Sequence, residues 1–195
     1  MKSILLLAIT AGVVSAQNSD LGLLVGISGP SSQVVTGTNF RVSASTGASF
    51  QINYALQLKE VSAGRLYLEL PFLAGGRDSS TVTTLVSSST VGGIYFTPGV
   101  RFNATLHPRT SFYAMGGAGI AAFGADRSIV GKGVVTSSSG WESSFAVAFG
   151  GGLDFRLTRL ISLRGEVRDF VSRKGIGLTD GRNHVVFGLG MGFHW

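Results

Sequence analysis

From His184 to the last residue the chain reads HVVFGLGMGFHW. Val185, Phe187, Leu189, Met191, Phe193 and Trp195 share one parity, while His184, Val186, Gly188, Gly190, Gly192 and His194 share the other. Side chains alternate between the faces of a strand with period 2, so a strand here has one large apolar face and one nearly bare face. A soluble domain would shield the large face and let its terminus trail off as a polar tail. A barrel crossing a bilayer has the opposite need, with large apolar groups on lipid and small or polar groups inside.

Seven earlier segments carry the same two-residue period. They run over 21–29, 49–58, 65–74, 91–104, 111–124, 144–156 and 161–170. In the second, Phe50, Ile52, Tyr54, Leu56 and Leu58 alternate with Gln51, Asn53, Ala55 and Gln57. Pro98 in the fourth argues against a central strand unless a bulge takes it up. The run Gly116, Gly117, Ala118 and Gly119 blurs the alternation of the fifth. Segments of about 9–11 residues match a bilayer crossing at barrel tilt, and none shows a sustained helical period. The links alternate strictly, long over 30–48, 75–90, 125–143 and 171–183, short over 59–64, 105–110 and 157–160. That places all long loops at one end of an all-β, eight-stranded, antiparallel up-and-down transmembrane β-barrel.

Composition fits a membrane wall better than a water-soluble surface. Charged residues make up 13% of the chain, against about 25% in a typical soluble protein. Glycine contributes 29 residues and the mean hydropathy is +0.35. The hydrophobic fraction of 44%, with 13 phenylalanines, argues against disorder. At the N-terminus, Lys2, the apolar run Ile4–Val14 and the small residues up to Ala16 read as an export signal over 1–16, leaving 17–195 as the barrel domain. Cysteine is absent, so neither a disulfide framework nor a thiolate zinc site is available. The net charge of +6 includes no basic run or aromatic–basic platform for nucleic acid, and anionic lipid is the better partner.

Charge placement gives the candidate functional residues. Glu69, Arg101, Asp154, Arg156, Arg164, Glu166 and Arg168 all fall on the parity opposite the large apolar residues. On the lipid face an arginine at mid-depth would cost about 2–4 kcal/mol, so these seven are read as a lumen charge network. Arg164, Glu166 and Arg168 stack along one strand face and either tie the lumen together or line a narrow ion path. Seven basic residues, Arg41, Arg77, Arg127, Lys132, Arg173, Lys174 and Arg182, lie in the long loops and outnumber Asp78, Asp126, Glu142 and Asp180 by three. Such a rim suits lipopolysaccharide phosphates, although solvated loop charge explains it equally.

Enzyme and cofactor chemistry find little support. His184 and His194, ten residues apart, stand about 33 Å apart along a strand and share no metal site. Gly117, Gly119 and Ala122 match a G-x-G-x-x-A fingerprint without its strand–helix context, so no cofactor is implied.

The signal, the strand-and-loop pattern, LRGEVRDF over 163–170 and the aromatic terminus together resemble the small eight-stranded outer-membrane β-barrel proteins of Gram-negative bacteria, the OmpA-like and OmpW-like grouping. The resemblance covers nearly the whole mature chain. It implies residence in the outer membrane as a monomer and a structural, surface-interaction or minor porin-like role. It also implies that the last strand, with Phe193 and Trp195, is read by the barrel-assembly machinery; Trp195 stands where the grouping usually has Phe. Two alternatives stay open: a secreted lipocalin-like barrel holding a lipophilic ligand, and a lipid A-modifying membrane enzyme.

Overall fold

A computed structural model describes residues 19–29, 31–34, 41–44, 46–81, 87–131, 134–174 and 180–195. Eleven strands form one sheet: β1 (Ser19–Ser28), β2 (Ser31–Val34), β3 (Arg41–Ala44), β4 (Gly47–Val61), β5 (Gly64–Thr81), β6 (Ser87–Phe96), β7 (Gly99–His107), β8 (Thr110–Gly131), β9 (Val134–Arg156), β10 (Ile161–Lys174) and β11 (Asp180–His194). β6 and β7 are two halves of one stave, and β2–β3 is a small hairpin within the first long loop. Eight antiparallel staves remain, each paired with its sequence neighbours. β1 pairs β11 from Asp20↔His194 to Ser28↔Val186, which closes the barrel. Ser19 and Trp195 extend this seam through two backbone hydrogen bonds of 2.9 and 3.1 Å. Closure leaves no unpaired edge among the eight staves, as a lipid solvent demands. The expected signal segment lies outside the described residues.

Proline 98 does not produce a bulge. Phe96↔Ile120 and Gly99↔Gly117 keep one register with β8 across it, as do Phe72↔Phe96 and Glu69↔Gly99 with β5. Within a strand, a residue's N–H and C=O point to the same neighbour. The Pro98 carbonyl accepts from the Ala118 N–H at 3.0 Å, so the missing proline N–H removes one bond of that pair while the register continues.

The polarity is that of a membrane barrel. Ile120, Phe145 and Leu189 point outward and are 60%, 60% and 59% exposed, whereas Asn53, Tyr113 and Arg164 point inward and are fully buried. A lipocalin has the reverse arrangement, so the soluble-carrier alternative loses its physical basis. The fifth stave follows the same rule, with Tyr113, Ala121 and Phe123 buried and Phe112 and Ile120 outward. Among the described residues no helix is long and apolar enough to cross a membrane.

The long links hold more strand than the sequence pattern suggests. β8 and β9 stay paired to Gly131↔Val134, and β5 and β6 to Thr81↔Ser87. These extensions run through SSST and TSSSG. A ladder is held by its backbone bonds and needs no alternation of apolar and polar residues, so period 2 cannot reveal it in these serine-rich stretches.

Candidate functional site

The inward face of the staves is filled by two kinds of side chain, layered along the barrel axis. At the loop end, Leu73, Tyr95, Ala121, Phe123, Ala146, Ala148, Phe170 and Val186 form an apolar cluster. The Tyr95 ring meets Phe123 edge-on at 5.5 Å and Phe170 at 4.6 Å between centroids. Its hydroxyl is 2.8 Å from His184 Nδ1, which satisfies a polar tip inside an apolar layer.

Toward the turn end, three buried guanidiniums face four buried carboxylates. Arg164 donates from Nε and Nη2 to both oxygens of Asp154, at 2.7 and 2.9 Å, and from Nη2 to Asp20 Oδ2 at 2.8 Å. Arg101 Nη2 reaches the same Asp20 oxygen at 2.8 Å. Arg168 donates to Glu69 and to Glu166, both at 2.8 Å. Glu166 further accepts from Gln51 at 2.6 Å, from Tyr113 at 2.9 Å and from Asn53 at 3.2 Å. The Tyr113 ring lies beside both Arg101 and Arg164, at 5.3 and 5.2 Å, and so links the two ion-pair groups. Charge-assisted bonds in a site without bulk water are strong, and each guanidinium is held by partners from other staves.

Glycine makes room for these groups. A Cβ on Gly22 would fall 2.7 Å from Arg164 Nη1, and one on Gly192 would fall 3.2 Å from Arg164 Nη2. The bare face of the terminal strand is thus the cradle of an arginine. On β8, a Cβ at Gly117 would meet the Thr97 carbonyl oxygen at 2.5 Å, and one at Gly119 would fall on the Phe96 carbonyl. Close approach of two backbones, rather than a nucleotide, accounts for that glycine pattern.

Six of the seven proposed lumen charges, Glu69, Arg101, Asp154, Arg164, Glu166 and Arg168, are buried in this network. Arg156 is not; it stands exposed at the turn end, because its strand has already left the packed section. The seven loop cations fall where their backbone is described at the loop end, but their side chains lie outside the described residues, as does all of Lys132. Phe193 and Trp195 are on the outward face beside the closing seam. Sequence reasoning missed Asp20, the carboxylate shared by Arg101 and Arg164. Its parity with Gly22 and Leu24 was the available signal, one residue before the 21–29 segment.

One constellation has the composition of a hydrolytic triad. Ser162 Oγ lies 2.9 Å from His194 Nε2, and His194 Nδ1 lies 3.3 Å from Asp20 Oδ2. Sequence spacing did not bring these three together, because they come from β10, β11 and β1. A nucleophile must reach its substrate, and Ser162 has no exposed surface. Asp20 Oδ2 also accepts from two arginines, which weakens its hold on the imidazole. Ser162 is therefore expected to resist a fluorophosphonate probe on the folded protein in detergent. Stoichiometric labelling that disappears in Ser162→Ala would show that the triad is competent.

A family model described as "Outer membrane protein beta-barrel domain" matches residues 3–194. Comparison with curated protein sequences finds no match. Among solved structures, OprG from Pseudomonas aeruginosa superposes with a TM-score of 0.62 at 12% identity, over 92% of this chain and 96% of that one. The outer membrane protease OmpT from Escherichia coli gives 0.60 at 7% identity, over 92% and 97%. Ail of Yersinia pestis, crystallised with the heparin analogue sucrose octasulfate, gives 0.54 at 16% identity, over 91% and 99%. At these identities the likeness is one of fold.

Proposed function

Since the chain belongs to the outer membrane protein β-barrel domain family and resides in the outer membrane, we propose that it is a non-conducting, monomeric barrel with a structural and surface-interaction role. The observation that carries this reading is the filled lumen. Arg101, Arg164 and Arg168 are 0%, 0% and 2% exposed inside the barrel, beneath an aromatic layer containing Tyr95, Phe123 and Phe170. An eight-stranded barrel is only wide enough for its own side chains, so an ion path would need both layers to part. The short turns then face the periplasm and the loops face the exterior, as in barrels of this kind.

In this reading the loop end carries the interaction. Arg41, Arg77, Arg127, Lys132, Arg173, Lys174 and Arg182 give the external loops a basic excess suited to lipopolysaccharide phosphates or other polyanions. Ail, a barrel of the same fold, was crystallised in complex with the heparin analogue sucrose octasulfate. Phe193 and Trp195, outward and beside the seam, are assigned the terminal signal read during assembly. Their partner in that step is the barrel-assembly machinery.

Two measurements test this. Purified protein in planar bilayers is expected to give no single-channel steps; reproducible steps would sink the non-conducting reading. Binding of lipopolysaccharide is expected to weaken several-fold between low and high salt, because exposed charge is screened within about 10 Å at 0.1 M. Salt-insensitive binding, or none, would count against the loop cations.

A further inference from the structure

The loop end is not the basic surface best defined by geometry. At the opposite, turn end the barrel opens into a cavity of ≈160 Å³ whose lining includes Arg65, Arg109, Arg156 and His194. It adjoins a second, more open space of ≈250 Å³ lined in part by Arg159 and Trp195, and the two share Arg65, Tyr67, Arg156 and His194. The floor is electrically balanced: Asp20 and Asp154 are taken up by Arg101 and Arg164. On the wall, Arg65 is paired with Glu60 at 3.3 Å. Arg109, Arg156 and Arg159 face no carboxylate in the ion pairs found among the described residues. All three are exposed; Arg109 and Arg159 stand in two different turns, one on each of the two adjoining spaces, and Arg156 at the end of β9 lines both.

A second observation comes from below the floor. Arg101 is completely buried, yet its Nε and Nη1 have no hydrogen-bond partner among the described residues. Its guanidinium carbon lies 4.8 Å from the centre of the Tyr67 ring, and Tyr67 lines both spaces. Arg101 lines neither space, so it adds positive charge beneath the floor rather than a direct contact. The wall adds the hydroxyls of Thr105, Thr110 and Ser111. Guanidinium forks with hydroxyl donors suit a tetrahedral oxyanion.

We propose that this periplasmic vestibule binds a phosphate-bearing anion. The phosphate has two possible sources, a soluble phosphorylated compound or the headgroup of an anionic phospholipid in the inner leaflet. The same guanidiniums would serve either. The proposal is independent of the loop reading, whose residues lie at the other end of the barrel.

Trp195 lines the site and reports on it. In a Trp141→Phe background, inorganic pyrophosphate titrated into the folded protein in uncharged detergent is expected to change Trp195 emission saturably. Combining Arg109→Gln, Arg156→Gln and Arg159→Gln is expected to weaken that binding at least about tenfold, the loss of roughly one charge-assisted contact or more. Unchanged heat-modifiable mobility would show that the triple variant still folds, since all three side chains are exposed. In phosphatidylcholine nanodiscs, a loss of pyrophosphate affinity at least about tenfold greater with phosphatidylglycerol than with an equally charged fraction of phosphate-free oleate identifies the lipid headgroup as occupant; equal losses identify the soluble source. Absence of saturable change in the parent, or equal affinity in the triple variant, overturns the proposal.

Discussion

Arg164→Met is expected to lower the unfolding free energy of the barrel by about 3–5 kcal/mol, the usual cost of removing one partner from a buried ion pair. Asp154 would lose both of its hydrogen bonds to this guanidinium, and Asp20 one of its two arginines. Both carboxylates are only 2% exposed, so water in the adjoining turn-end space can replace little of what the guanidinium supplies. The residue also ties β10 to β9 and β1 at once, so the loss falls on the closing seam as well as on a local pair. Urea unfolding in liposomes, followed by heat-modifiable gel mobility, measures the effect. Adding Asp154→Leu should recover part of the loss, because a packed apolar pair is often as stable as a buried ionic one. A cost below about 1 kcal/mol for Arg164→Met, in the range of exposed pairs, would mean that water enters the lumen freely.

That network shows how far the chain could be read before folding. The period-2 alternation was visible wherever a stave has lipid outside and packed lumen inside, as in Phe50 to Leu58 or Ile161 to Arg168. It faded in Ser111–Gly124, where the inward residues Gly117 and Gly119 are small because two backbones approach there. It vanished in the extensions of β8 and β9 toward Gly131 and Val134, where serine and threonine interrupt the apolar series. Inward polarity was legible for Arg164, Glu166 and Arg168, but partnership was not. Arg101 meets Asp20 from 81 residues away, and Arg168 meets Glu69 from 99. Such pairings depend on barrel closure and stave tilt, which no local pattern contains. The triad-like Ser162, His194 and Asp20 came together for the same reason, as did the vestibule arginines Arg109, Arg156 and Arg159.

The second large effect belongs to a residue with no side chain. Gly190→Ala is expected to cost more than about 3 kcal/mol, beyond the usual range for an overpacked core. An added Cβ at Gly190 would fall on the Leu23 carbonyl oxygen and 2.7 Å from the Leu24 Cα. Both obstacles are main chain on β1, the strand against which β11 closes the barrel. A side chain could rotate away; a paired backbone can give only by opening the seam. Gly188 supplies the comparison, since its added Cβ would meet Leu24 Cδ2 at 3.2 Å, the movable end of a side chain. Gly188→Ala should therefore lose only about 1 kcal/mol. Gly165 has nothing within 4 Å of an added Cβ, and Gly165→Ala should change stability by less than about 0.5 kcal/mol. Helical or strand propensity would rank the three alike, because the chemical change is the same. Folded yield and urea midpoints in the order Gly165→Ala, Gly188→Ala, Gly190→Ala would locate the requirement in the closing seam. Equal yields and midpoints for Gly190→Ala and Gly165→Ala would show that β1 and β11 sit farther apart than this register allows.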